Sequence, residues 1–202
     1  LNSNTTYRVK VCEYNGTPGK EMYNVNDTIN NPVNITTDYP IPSLQSKDIV
    51  FSNKTATSFC ANWSKGNGMG RVVFIKDTAT GFAKPIYKNT YTPDTVYGLG
   101  SQIGTTGWYC IYNDTGSSVN VTNLKPGTTY RLMVYDYNGS KGNEIYNVNP
   151  AIKNPNNATT PYSTPAVQTY NMLISNITNS IINNYDKLYL YATKSARVKS
   201  PA

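Results

Sequence analysis

The sequence predicts an all-β protein built from tandem β-sandwich modules. Three observations carry that expectation. Residues 1–37 and 124–160 align without a gap at an offset of 123. Between them lie short apolar runs with the two-residue period of strands, and Gly, Pro and Asn clusters punctuate those runs. Charged residues make up only 14% of the chain, so Asn, Thr, Ser and the 18 tyrosines must form much of the surface, a composition that suits strands better than helices.

The repeat is specific. Thr5-Thr6-Tyr7-Arg8 matches Thr128-Thr129-Tyr130-Arg131, and Tyr14-Asn15-Gly16 matches Tyr137-Asn138-Gly139. Glu21 matches Glu144, Tyr23-Asn24-Val25-Asn26 matches Tyr146-Asn147-Val148-Asn149, and Asn31-Pro32 matches Asn154-Pro155. A period of this size means whole domains in tandem, not a short-unit solenoid. Within each copy a β-hairpin is expected. Tyr130, Leu132 and Val134 alternate with Arg131, Met133 and Tyr135, Asn138-Gly139 supplies the turn, and a return strand follows around 144–148. In the first copy Tyr7, Val9 and Val11 should face inward.

The intervening segment supplies the rest of one module. Ala56–Trp63 reads as a strand with Phe59, Ala61 and Trp63 on its core face, leaving Cys60 on the other. Arg71–Lys76, Trp108–Tyr112 and Ser118–Leu124 are further strands, and the Gly-, Pro- and Thr-rich stretch 77–107 is a long connection with a short strand of its own. About seven strands with frequent turn signals make a sandwich. Two strands do not, so residues 1–37 are expected to be the end of a module whose earlier strands lie upstream.

Trp63 followed by Leu124-Lys125-Pro126-Gly127-Thr128-Thr129-Tyr130 resembles the fibronectin type III signature, in which a Leu-x-Pro-Gly-Thr-x-Tyr segment leads into the sixth strand. The resemblance implies an immunoglobulin-like sandwich with Trp63, Leu124 and Tyr130 as fold-marking core residues. The Gly-Arg-Val-Val-Phe-Ile-Lys strand and the Tyr-Asn-Gly turn resemble a version found in bacterial surface adhesins, and similar modules decorate tailed-phage virions. The domain organisation expected is therefore 1–37, the last two strands of a truncated module; 38–162, a complete module; and 163–202, a C-terminal arm.

The arm differs in character. Val167, Tyr170, Ile174, Ile177, Ile181, Leu188 and Tyr191 follow heptad spacing, broken at Asn184, whereas 187–193 alternates like a strand. A helix and an extended arm both remain open. As a docking or homo-oligomerisation segment it would use Tyr170, Ile174, Ile177, Ile181 and Arg197.

Chemistry is sparse. The sequence has no histidine, which removes Ser-His-Asp and Cys-His nucleophile activation. Phosphate-binding Gly loops and EF-hand spacing are absent, so no cofactor or metal is expected. Asp136 and Glu144 are a tempting acid pair. The first copy carries Glu13 and Glu21 in the same places, which favours scaffold roles and a non-enzymatic protein. Cys12, Cys60 and Cys110 are too widely spaced for a CxxC metal site and too few for a disulfide framework.

The net charge of +7 divides into +3 over residues 1–186 and Lys187, Lys194, Arg197 and Lys199 beyond, so a nucleic-acid partner is not expected. No apolar run approaches a membrane span. Tyr137, Asn138, Ser140 and Lys141 form a candidate partner-binding loop, because Tyr, Asn and Ser suit adaptable contacts on a rigid sandwich. The expected role is structural or adhesive, on a virion surface by preference. The alternatives are a bacterial cell-surface or secreted adhesin, or a glycan-binding accessory module of a secreted enzyme, and a host-surface glycan is a candidate partner.

Overall fold

The computed structural model describes residues 1–164 and contains strands but no helix in that span. The candidate arm residues Tyr170, Ile174, Ile177, Ile181 and Arg197 lie outside the described residues.

Residues 38–164 contain two facing sheets. One has the order β5 (Lys47–Ser52), β6 (Phe59–Ser64), β9 (Ser118–Val121). The other has the order β11 (Ile145–Tyr146), β10 (Thr129–Asn138), β7 (Gly70–Lys76), β8 (Tyr109–Asp114), with β12 (Asn156–Thr159) also paired to β10. All these pairings are antiparallel. This is an immunoglobulin-like, fibronectin type III-like sandwich. Alternation explains the core between the sheets: Phe59, Ala61 and Trp63 from β6 meet Val73 and Ile75 from β7 and Leu132 and Val134 from β10. Leu124 and Tyr130 are buried there as well.

The β7 and β10 strands are buried on both faces because the connection 77–107 covers the outer side. Tyr91 and Ile103 from that connection pack with Val72, Phe74, Trp108, Cys110, Met133 and Tyr135 in a second cluster. The connection has no strand of its own, contrary to expectation. It makes isolated bridges only, Val96 with Thr122 and Gln102 with Tyr109, and its Gly and Pro residues interrupt any ladder. The strand at Lys47–Ser52 is an element the sequence reading did not mark. Its apolar signal is short, and a register shift between Lys47 and Val50 breaks the alternation.

Residues 1–37 contain four short strands, not two: β1 (Thr6–Val9) pairs with β4 (Val33–Thr36), and β2 (Tyr14–Asn15) pairs with β3 (Met22–Tyr23). The second copy has the same arrangement, since its return strand is only Ile145–Tyr146 and the chain then comes back through β12. The expected inward placement of Val9 and Val11 is not observed. Both are exposed, because no second sheet lies over them among the described residues.

Candidate functional site

The candidate loop sits where β10 runs into its turn. Gly139 has φ 110° and Gly16, its counterpart, 117°. A Cβ at Gly139 would collide with the Asn143 carbonyl, and one at Gly16 with the Lys20 carbonyl, so both turns require glycine. The Tyr137 hydroxyl donates to Asn113 Oδ1 at 2.8 Å, and its ring packs on Tyr146 at a centroid distance of 5.5 Å. Asn138 accepts from the Met69 amide at 3.0 Å and donates from Nδ2 to the Pro40 carbonyl at 2.9 Å. Tyr137 and Asn138 are thus half-buried and internally bonded, whereas Ser140 and Lys141 are exposed at the tip.

The two acids beside this loop are structural acceptors. Asp136 is buried, takes the Ser46 amide at 2.5 Å, and pairs with Arg71 Nη2 at 3.2 Å. The Arg71 guanidinium also donates to the carbonyls of Thr115 (2.5 Å) and Gly68 (3.2 Å). Glu144 accepts from the Gly142 amide at 2.9 Å and from the Thr90 hydroxyl. Sequence reasoning found the acids but missed Arg71. The available signal was a cation at the start of the apolar Val-Val-Phe-Ile run of a strand expected in the core, a position that calls for a buried counter-charge. Burial raises the hydroxyl pKa of Tyr137 and Tyr146, and the Glu144 charge adds to the effect at both.

The repeat extends to bonding geometry. Asn2 N donates to the Tyr7 hydroxyl at 2.6 Å, as Lys125 N does to Tyr130 at 2.8 Å. Asn31 clasps the backbone of Val11 from both sides at 3.0 and 2.7 Å, as Asn154 clasps Val134 at 3.1 and 2.7 Å. Glu21 accepts from the Gly19 amide at 3.0 Å, the counterpart of the bond from Gly142 to Glu144. The Asn31–Pro32 and Asn154–Pro155 peptides are both cis.

Where the first copy meets the module, Lys88 pairs with Asp38 at 2.7 Å beside a polar cleft of about 350 Å³ that Asn4, Thr37, Ser140 and Asn143 help to line. A separate surface cleft of about 580 Å³ is lined by Asp77, Tyr97, Tyr109, Asn123 and Lys125. Among the described residues no group of three or more His, Cys, Asp or Glu side chains is placed to hold a metal ion.

No family model matches the sequence, and no curated protein matches it. Among solved structures, the chain is similar to the fibronectin type III domain of human fibronectin type III domain containing protein 3. The identity is 16%, the match covers 65% of this chain and 97% of that one, and the TM-score is 0.40. It is similar to the FN5 domain of Drosophila Lar at 14% identity, over 58% and 96% of the two chains, with a TM-score of 0.34. A computationally redesigned β-sandwich protein matches at 17% identity, over 59% and 92%, with a TM-score of 0.38.

Proposed function

We propose that the protein is a non-catalytic structural module of a larger extracellular or virion assembly, with a capsid-decoration or fibre component of a tailed phage favoured over a bacterial cell-surface adhesin. The observation that carries this reading is the duplication of internal bonds between the two copies. Selection that reproduces a fold's hydroxyl, carboxamide and turn contacts, while leaving its acids bound to backbone amides, has preserved a scaffold rather than a reaction centre. Such modules space, decorate or dock, and residues 163–202 would be the attachment element to a protein partner or to further copies.

The test is deletion of residues 163–202 in the parent particle or filament. Lost incorporation with residues 1–162 still folded is the expected result; unchanged incorporation would remove the attachment role.

A second reading, glycan binding, draws on the cleft where the part-exposed Tyr97 and Tyr109 rings lie 5.5 Å apart beside Asp77, Asn123 and Lys125. Aromatic faces next to polar groups suit a sugar. Binding on a glycan array that Tyr109→Ala abolishes would favour this reading, and an array without signal would remove it.

A further inference from the structure

Among the described residues, nothing lies over the first copy as the second sheet and the 77–107 connection lie over the second. Leu1 is 97% exposed where Leu124 is 3% exposed, and Val11 is 70% exposed where Val134 is fully buried. Val9 and Ile35 are likewise open where Leu132 and Ala158 are buried. These side chains line one apolar face of the β1–β4 pair. The hydrogen bonding is truncated in the same way. The β1 strand stops at Val9, where its pairing with β4 ends, whereas β10 runs on to Asn138 because β7 pairs with it from Arg131 to Tyr137. Backbone groups left open at a strand edge are a template for another strand.

We propose that this face is a strand-acceptor site whose occupant is a polypeptide segment patterned like residues 43–76 and 108–123 of this chain, without the 77–107 cover, pairing antiparallel to residues 8–14 and setting an arginine opposite Glu13.

The second copy supplies the occupant's chemistry. Its edge strand is Gly70–Lys76, with Arg71 opposite Asp136, and Glu13 stands where Asp136 does. Asn154 spends a further donor on the Ser46 carbonyl at 2.7 Å, and the matching N–H of Asn31 is available to a backbone carbonyl of the same incoming segment. The occupant covers only one face. On the other, Lys10 replaces Met133 and Cys12 replaces Tyr135. The Lys10 ammonium is held by the Val25 carbonyl at 2.5 Å and by Asp27 at 2.7 Å. A cover like 77–107 would bury that charge at a cost, so the completed first module has a leaner outer face than the second.

The experiment extends the full chain with a second copy of residues 38–123, in which a short Gly-Ser linker replaces 77–107, placed directly before Leu1, and reads amide hydrogen exchange at residues 7–13. The expected result is exchange slowed by about a hundredfold or more, as befits a cooperatively folded unit. Protection should be lost with Arg71→Glu in the added segment only, and restored when Glu13→Arg accompanies it. A peptide with the sequence of residues 70–76, added to the unmodified chain, is the second probe. Protection by either probe supports the proposal, and protection by neither overturns it. Slow exchange in the unmodified chain also overturns it: the occupant would then be a second copy if the protein sediments as a dimer, and another part of the same chain if it sediments as a monomer.

Discussion

Asp136 and Arg71 form the most consequential pair in the module, since both are buried and each satisfies the other along with nearby backbone groups. Their net worth relative to an apolar pair is small, but breaking the pair leaves a guanidinium uncompensated in the interior. Asp136→Ala is therefore expected to cost about 3–5 kcal/mol in urea unfolding. Cys110 behaves differently. Burial pushes its thiol from an ordinary 9.0 to about 12, and the hydroxyl of Tyr135 rises from 10.0 to about 12 for the same reason. Both groups are neutral when protonated, so above the unfolded values the unfolded chain releases protons that the folded chain retains. Stability is then full below about pH 9 and falls as pH rises from there towards 12. A urea titration between pH 8 and 11 tests this (roughly the span set by the two groups' ordinary values). In the same folded protein Cys110 should resist alkylation while the half-buried Cys12 and Cys60 react.

At the scale of elements, the duplicated turn allows an internal comparison. Gly139→Ala places a Cβ against the Asn143 carbonyl in a turn anchored to a full sandwich, and should lower stability by about 1–3 kcal/mol. Gly16→Ala meets the same obstruction in a copy over which no second sheet lies among the described residues, so its effect on the melting of the 38–164 module should be close to zero. Thermal melting of the two variants checks both statements.

Strands β6, β7, β9 and β10 were legible because alternation and β-branched runs encode them. The 77–107 cover was not, because Tyr91 and Ile103 fill a cluster without any local period. The loop at Tyr137–Lys141 was legible as a turn. The internal bonds of Tyr137 and Asn138 were not, since Asn113, Met69 and Pro40 come from distant parts of the chain.

At the scale of the whole molecule, the two copies differ in what covers them among the described residues, not in design. The same corner tyrosines, threonine pairs and clasping asparagines recur, and what separates the copies is whether a second sheet is present to take up their apolar face. The Asn154 carboxamide joins two parts of the module that enter the fold at opposite ends of its sequence. It binds Val134 within β10 and also the Ser46 carbonyl just before β5, while the amides of Asp48 and Ile49 reach the carbonyls of Ile152 and Lys153. When the molecule is stretched between Pro40 and Pro161, tension must shear these contacts before the sheets can separate. The clasp is thus a mechanical latch, and Asn154→Ala should lower the peak unfolding force in single-molecule pulling by more than its effect on equilibrium melting would suggest.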